Sequence, residues 1–260
     1  MSGRYSFIKS GVWIAGILIV VVTVFAFVNL GMWQLRRLDE RRTLNATIES
    51  RLAEDPADLG LLLATVGTDA EALEYRRVTA TGTYNTEDEI LLQARTLNGV
   101  SGHNVVTPLT REGGTVAVNR GWVPIDSGGP PVPGALPPAG IVDVAGILRT
   151  SEERGPTGLL EDDGTYRKIG RLDLELLGSQ WGPSLLPVYV QLETQTPPPG
   201  EYPAPLPPPE VGEGAHLSYA VQWFVFAAVA AIGFPILVVS TARRKNATTS
   251  ETPSKPSSAP

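Results

Sequence analysis

The sequence has no cysteine, and it has only two methionines and two histidines among its 260 residues. Without cysteine, the chain cannot form disulfides, thiolate metal sites, iron–sulfur clusters or a thiol copper relay. The two methionines also disfavour a methionine copper site. Thiol chemistry is therefore excluded as the basis of the function.

Basic residues are scarce in the long segment between the two apolar runs of the chain. Residues 36–215 hold 15 Lys or Arg against 26 Asp or Glu, and no Lys or Arg lies between Arg171 and Arg243. Binding to nucleic-acid phosphates requires clustered cations. The net charge of −11 on this segment argues against nucleic acid as a partner.

The two apolar runs extend from Val12 to Trp33 and from Leu217 to Thr241, and neither contains a charged residue. At about 1.5 Å per residue, each is long enough to cross a hydrocarbon core of about 30 Å. The first run continues into Trp33-Gln34-Leu35-Arg36-Arg37 without a small-residue cleavage site, so we interpret it as an uncleaved anchor. The sequence predicts membrane-spanning helices at 12–35 and 216–241.

The charge on either side of these spans predicts their orientation. The flanking segments, 1–11 and 242–260, together carry a net charge of +5, whereas residues 36–215 carry −11. Lys and Arg favour the cytoplasmic side of a membrane. We therefore expect a multi-pass protein of the cell membrane with both termini in the cytoplasm. Four arginines directly after the first span oppose this orientation, but the basic stop at 243–245 outweighs them because long loops translocate largely regardless of charge.

The connecting segments differ in composition. Apolar residues recur near helical spacing from Leu35 to Ile48, which predicts that the first span continues as a helical stalk until Pro56. Two proline-rich stretches are expected to stay extended and stiff, Pro130–Pro138 as an insertion between strands and residues 197–215 as a tether into the second span. The tail from Asn246 to Pro260 is rich in Thr, Ser and Pro, and we expect it to be disordered.

From Tyr75 onward, apolar and polar residues alternate as in half-buried strands, and turn signals such as Asn98-Gly99 separate the segments. A short helix is expected near 172–177. Without helices between successive strands, a parallel βαβ sheet is disfavoured. The predicted fold class is an α+β membrane protein, with two transmembrane helices flanking a mainly antiparallel β domain at 36–196 outside the cytoplasm. The predicted strands are 75–84, 89–95, 103–109, 115–123, 141–149, 167–171 and 187–194.

One segment, Asp126-Ser127-Gly128-Gly129-Pro130, resembles the nucleophile loop of chymotrypsin-like proteases. That chemistry requires a base hydrogen-bonded to the serine. The only upstream histidine, His103, lacks the surrounding motif of those proteases. We therefore interpret the segment as a turn that opens the proline-rich insertion, and a membrane-anchored enzyme is the weakest functional hypothesis.

Four segments taken together resemble the SURF1 family of cytochrome oxidase assembly proteins. Their order, spacing and placement against the two spans all fit, and the resemblance covers about residues 11–240. The proline-rich insertion, the long tether and the tail depart from the family pattern without touching these segments. The segments are Leu30-Gly31-Met32-Trp33-Gln34-Leu35-Arg36-Arg37-Leu38, Tyr75-Arg76-Arg77-Val78-Thr79-Ala80-Thr81-Gly82-Thr83-Tyr84, Val118-Asn119-Arg120-Gly121-Trp122-Val123-Pro124 and His216-Leu217-Ser218-Tyr219-Ala220-Val221-Gln222-Trp223-Phe224.

This resemblance implies a non-enzymatic factor that helps to assemble the haem-copper cytochrome c oxidase, at the step that places haem a in the catalytic subunit. The implied partners are that catalytic subunit, proteins that synthesise or deliver haem a, and membrane lipid. Haem a would be bound transiently, and neither a catalytic residue nor a separate metal site is expected. The alternative is a protein-only scaffold that holds an oxidase subunit without binding haem.

Haem binding requires an imidazole near the iron, apolar walls for the porphyrin and cations for the propionates, and the outer ends of the two spans carry all three. Histidine can also serve merely as an interface anchor, as Trp and Tyr do, so both interpretations of His216 stay open. Helical spacing places the candidates on one face of each span. The predicted haem-binding residues are His216, Tyr219 and Trp223 on the second span and Trp33, Arg36 and Arg37 on the first, with His216 facing the side of Asn29 and Trp33.

Contact between the two spans needs specific residues because lipid supplies little hydrophobic drive for helix association. We expect small residues to allow close packing, and we expect polar groups to add hydrogen bonds. The predicted contact residues are Gly31, Ala220 and Ala227, with Asn29 and Gln222.

Four further residues are candidates for partner binding. Strand alternation places Arg120 on the same face as Val118 and Trp122, which is unusual for a core. Arg120 either pairs with a buried acid or caps backbone carbonyls, or it belongs with Trp122 to a partner-docking surface. Arg76 and Arg77 form either a solvated strand start or a docking or anion site.

Overall fold

The computed structural model of the protein describes residues 6–152, 158–161 and 164–250. These residues form two compact units. The helix-pair unit comprises the described residues up to Ala46 and from Gly212 onward, and the sheet unit comprises those from Thr47 to Val211.

The elements follow the predicted order, with a long helix toward each end and strands between them. Every predicted strand is present, and so is the short helix expected near 172–177. One two-residue strand and two short helices between 57 and 73, and a second two-residue strand at 159–160, were not predicted, because such short elements leave too little periodicity to recognise. The helices are α1 (Gly11–Leu52), α2 (Leu59–Val66), α3 (Ala70–Leu73), α4 (Leu174–Trp181) and α5 (His216–Ser250). The strands are β1 (Ala57–Asp58), β2 (Arg77–Tyr84), β3 (Ile90–Leu97), β4 (Val100–Arg111), β5 (Gly114–Pro124), β6 (Ile141–Thr150), β7 (Leu159–Leu160), β8 (Tyr166–Ile169) and β9 (Leu185–Thr196).

Helices α1 and α5 are both long and apolar enough to cross a membrane, which confirms a membrane protein with two candidate spans. The stalk prediction is confirmed, since α1 continues beyond its apolar part and ends before Pro56. Helix α5 extends to Ser250, so the disorder expected from Asn246 is wrong for 246–250, where neither Gly nor Pro interrupts the helix. The remainder of the predicted tail, 251–260, lies outside the described residues.

The strands of the sheet unit form one mixed sheet that closes partly on itself. In the described part of the chain, the strand order is β1-β2-β6-β9-β5-β4-β3-β8-β7, and β2 also pairs with β4. This extra pairing makes a ring of β2, β6, β9, β5 and β4, a five-stranded, partly closed barrel of the kind found in OB-folds. Most pairs are antiparallel, as predicted, and the parallel ones are β1–β2, β3–β8 and β5–β9.

The main core lies inside this ring of strands. Buried side chains such as Val78, Val118 and Val190 fill it, and α2 and α3 cover it with Leu59 and Leu73. A second core packs α4 against the other side of the sheet, with Asp173 capping the helix through a hydrogen bond to the backbone of Leu176. These two layers give the α+β class that the sequence predicts.

The proline-rich insertion is part of the core, contrary to the expected extended and stiff stretch. Residues Pro133–Ala135 form a single 3-10 turn, and Val132 and Ala135 are both buried. They pack against apolar side chains of β3, β4 and β5. The insertion differs from the expectation because burying the apolar residues between the prolines is more favourable in free energy than leaving them exposed to water.

The first half of the tether also packs on the sheet unit rather than standing free. The backbones of Trp122 and Ala204 exchange two hydrogen bonds of 2.8 Å, and the side-chain amide of Gln191 donates to the carbonyl of Pro207. Gly121 permits this approach, because it has a φ of +134° and its missing Cβ would overlap the carbonyl oxygen of Ala204. The first half of residues 197–215 therefore forms a strap over β5 and β9.

Replacing Gly121 with alanine should loosen this strap. Both the positive φ and the overlap with Ala204 penalise a Cβ, so we expect Gly121→Ala to lower the free energy of unfolding by about 1–3 kcal/mol. The measurement is urea denaturation of the full chain in detergent, with hydrogen exchange of residues 202–207. Gly129→Ala is the control, since a Cβ added at Gly129 would have no heavy atom within 4 Å. Equal midpoints for the two variants would contradict the proposed role of Gly121.

Candidate functional site

The helix-pair unit is held together along one stripe of each long helix. On α1, Phe27, Gly31, Gln34 and Leu38 recur at helical spacing and are buried or half-buried. A Cβ added at Gly31 would lie 2.8 Å from the ring of Phe224, so the glycine allows the helices to approach closely. Gly31, Ala220 and Ala227 are buried as predicted, whereas Asn29 and Gln222 are exposed. The polar part of the predicted contact is therefore wrong.

His216 begins helix α5 and contacts α1 through Gln34. Its Nδ1 lies 2.9 Å from Oε1 of Gln34, within hydrogen-bond distance. An amide oxygen only accepts, so this contact is a hydrogen bond in the tautomer that has its proton on Nδ1. Gly214 lies beside the other edge of the ring, since a Cβ there would be 3.6 Å from Nε2. Gln34 thus contacts one ring nitrogen, and a residue without a side chain lies beside the other.

An ion pair next to this histidine fixes the start of α5. Arg42 of α1 donates to both carboxylate oxygens of Glu213, at 2.7 and 3.1 Å. The hydrogen bonds that Arg42 donates to Glu213 lower the pKa of Glu213 and raise the pKa of Arg42. Both side chains are about half exposed, so the pair orients the chain more than it stabilises it.

Aromatic side chains line the contact between α1 and α5 at a greater distance from His216 along the helices. The ring of Trp223 lies 5.5 Å from that of Phe27 and 5.9 Å from that of Phe226, between ring centroids. His216, Ala220 and Trp223 share one face of α5, as their spacing predicts. The contact therefore combines an oriented imidazole with an aromatic wall two turns away.

The other predicted haem-binding residues lie on different faces. Tyr219 is 51% exposed and Trp33 is 43% exposed, and Arg36 and Arg37 are exposed as well. Arg37 pairs with Glu40 of its own helix and lies over the ring of Trp33.

The predicted facing of His216 toward Asn29 and Trp33 is therefore wrong. The contact stripe of α1 runs through Gly31 and Gln34, and a rotation of about 100° per residue turns Asn29, Trp33 and Arg36 away from it. Asn29 instead donates a hydrogen bond to the carbonyl of Phe25 in its own helix.

Arg120, the first candidate for partner binding, is buried in the sheet unit together with an acid. Its side chain is 1% exposed, and Nη1 lies 3.0 Å from Oε2 of Glu89, which is fully buried. Nη2 donates to the carbonyl of Ala135 at 2.6 Å, and the guanidinium lies over the ring of Tyr84. The interpretation of Arg120 as an arginine paired with a buried acid is confirmed, and the docking interpretation is wrong because partners cannot reach it.

A register shift in the sheet places Arg120 in this position. Asn119 pairs with Val106 and Gly121 pairs with Val105, so Arg120 is the extra residue of a β-bulge. Bulges redirect side chains in this way. The carboxylate of Glu89 accepts further hydrogen bonds from the hydroxyl of Thr107 and the backbone of Val132, both 2.9 Å long. The network thus ties two strands to the proline-rich insertion.

Burial dominates the ionisation of this pair. Desolvation raises the pKa of Glu89 against the opposing hydrogen bonds from Val132, Arg120 and Thr107. The same desolvation lowers the pKa of Arg120 against its attraction to Glu89. Each charge is tolerated only because the other is present.

The remaining partner-binding candidates also make contacts within the sheet unit. Trp122 is 6% exposed and donates from Nε1 to the carbonyl of Arg95. Its assignment to a docking surface is wrong, because its side chain is buried within the sheet unit. Arg76 pairs with Glu54 at 2.8 Å and Arg77 pairs with Glu193 at 3.0 Å, both with partly exposed side chains, which matches a solvated strand start.

Sequence reasoning missed Gln34, Glu89 and the pair of Arg42 with Glu213. Gln34 lies one helical turn after the predicted contact residue Gly31, but an apolar span has no stripe that singles out this face in the sequence. No signal linked Arg120 to Glu89, which is 31 residues earlier in the chain.

Comparison with known proteins identifies one family. The SURF1 family model matches residues 21–228. An uncharacterised SURF1-like protein of Mycobacterium tuberculosis is 31% identical over 97% of this chain and 94% of its own length. A SURF1-like protein of Monosiga brevicollis is 30% identical over 77% of this chain and 79% of its own. Surfeit locus protein 1 of Homo sapiens is 28% identical over 80% of this chain and 71% of its own.

Removing one partner of the buried pair should be costly. Glu89→Gln or Arg120→Met leaves an unpaired buried group, so we expect each to lower the free energy of unfolding by about 3–5 kcal/mol. The double variant should cost less than the sum of the two. Urea denaturation of the full chain in detergent measures all three. The control is Glu193→Gln in the partly exposed pair with Arg77, which should cost about 1 kcal/mol or less. A loss for Glu89→Gln no larger than that of the control would contradict the buried pair.

Proposed function

Because the chain belongs to the SURF1 family, we propose that it is a non-enzymatic factor for the assembly of the haem-copper cytochrome c oxidase. The family match over residues 21–228 carries this proposal, together with the four segments that resemble the family. The proposed step is the entry of haem a into the catalytic subunit. The proposed partners are that subunit, the proteins that synthesise or deliver haem a, and the lipid around the two helices.

The proposed location is the cell membrane, with both termini in the cytoplasm and the sheet unit outside it. The support is the charge of the segments flanking the two apolar helices, +5, against −11 between them. The proposed orientation puts His216 and Gln34 at the outer surface of the membrane, where a cofactor could pass to an oxidase subunit.

The residues around His216 fit a haem in part. An imidazole nitrogen suits an iron ligand, and Phe27 and Trp223 supply an apolar wall. If haem were bound, His216 would hold its iron and these rings would contact the porphyrin. The cations that the sequence suggests for the propionates, Arg36 and Arg37, lie on an exposed face of α1 instead. We therefore propose His216 as the ligand and assign no propionate partner to these arginines.

A protein-only scaffold is the second candidate, and one observation favours it. Trp33 and Arg36 lie on the face of α1 that is directed away from α5, where they can meet another protein. On this account the contact of His216 with Gln34 merely holds the two helices together. Replacing His216 distinguishes the candidates, because a ligand is lost in the first and only a helix contact in the second.

Single introduced cysteines should establish the topology, since the chain has no thiol of its own. We expect Asp126→Cys, at an exposed turn, to react with a membrane-impermeant maleimide in intact cells. Thr249→Cys should react only after the membrane is permeabilised. The parent chain without cysteine is the control. The reverse accessibility at either position would overturn the proposed orientation.

Deletion of the gene should lower the amount of assembled oxidase that contains haem a, while the oxidase subunits are still synthesised. We expect His216→Ala to fail to restore the haem a absorption of membranes to the wild-type level, because the proposed ligand is missing. Ser218→Ala is the control, since its hydroxyl only bonds the carbonyl of Ala215. Normal haem a spectra in a deletion strain without a second copy would count against the function. Full restoration by His216→Ala would favour the scaffold.

A further inference from the structure

Gln34 is the residue that orients the imidazole of His216, and it lies on a different helix. We infer that Gln34 is a positioning residue that selects Nε2 of His216 as the ligand atom for haem iron. This inference rests on the proposed haem role. The inference goes beyond the haem role because it gives the contact of 2.9 Å between Nδ1 of His216 and Oε1 of Gln34 a function. That function is to determine which ring nitrogen binds the iron.

The chemistry of the two groups determines the direction of the hydrogen bond. The Oε1 atom of Gln34 has lone pairs and no proton, so the contact of 2.9 Å favours the tautomer in which Nδ1 donates. A neutral imidazole has only one N–H, so its free lone pair is then on Nε2. Metal-ligating histidines typically have their other nitrogen held by an acceptor in this way, which fixes both the tautomer and the ring orientation.

The helix contact fixes the position of Gln34 relative to the ring. Gly31, one turn earlier on α1, receives the ring of Phe224, so the two helices cannot slide without a clash or a gap. Arg42, two turns later, holds Glu213 through two hydrogen bonds. Both ends of the bond between Gln34 and His216 are therefore anchored by neighbouring contacts.

The surroundings of His216 support Gln34 as the acceptor. The nearby carboxylate of Glu213 already accepts from Arg42 with both oxygens. On the other edge of the ring, Gly214 has no side chain to cover Nε2. The neighbouring acceptor is thus occupied elsewhere, and a ligand has access to Nε2.

The first test measures the tautomer without haem. The full chain is labelled with 15N-histidine in nanodiscs, and its two histidines are told apart by the signal lost in His216→Ala. We expect protonated Nδ1 in the wild type and a shift toward protonated Nε2 in Gln34→Leu. Gln34→Glu retains an acceptor oxygen and should restore the wild-type tautomer. Gln222→Leu is the matched control, because it makes the same change at an exposed glutamine of α5 and should leave the tautomer unchanged. A wild-type tautomer in Gln34→Leu would overturn the inference.

The second test is a titration of the same proteins with ferric haem a, followed by absorption. We expect Gln34→Leu to raise the Kd about 10–100-fold, as is typical when the partner of a metal-ligating histidine is removed. Gln34→Glu should bind more tightly than Gln34→Leu, and Gln222→Leu should bind as the wild type does. An altered tautomer with unchanged affinity would overturn the positioning role. A wild-type protein that binds no haem would overturn the haem role itself, and the tautomer would still decide whether Gln34 sets the ring.

Discussion

The sheet unit depends on a charge that cannot reach water. Glu89 is fully buried, and an isolated carboxylate there would cost several kcal/mol. Arg120, Thr107 and the backbone of Val132 all donate hydrogen bonds to it. Arg120 reaches it only because a bulge in β5 redirects the side chain inward. The backbone of Val132 and the carbonyl of Ala135 complete the network. One buried pair thus holds the proline-rich insertion on the sheet. Val132 and Ala135 of the insertion then pack against apolar side chains of β3, β4 and β5.

The helix-pair unit follows a different rule, because lipid gives apolar helices no reason to associate. Close approach at Gly31 brings the backbones together, and polar contacts at Gln34 and Arg42 then set the register. This register decides what His216 can do. Nδ1 of the imidazole lies within hydrogen-bond distance of the amide oxygen of Gln34, and Gly214 lies beside Nε2.

Family membership and local geometry support the functional proposal at different levels. The SURF1 match concerns most of the chain, whereas the haem hypothesis concerns a few side chains at the outer ends of two helices. A fold can host many functions, so the site has to carry the mechanistic part of the argument. Here the site offers a ligand atom and an aromatic wall, but the arginines next in sequence face another direction. Trp33 and Arg36 are thereby available for contact with a partner.

The sequence alone determined the two spans, the strands and their mainly antiparallel class, because apolar periodicity and turn residues act locally. It also predicted that Gly31 and Ala220 would lie in the helix contact, since small residues let helices approach closely. Only the tertiary structure decided which face of α1 meets His216, because a span that is apolar all round has no stripe to mark its contact face. The pairing of Arg120 with Glu89 is likewise known only from the fold. The two residues are 31 positions apart in the chain, and no local pattern in the sequence links them.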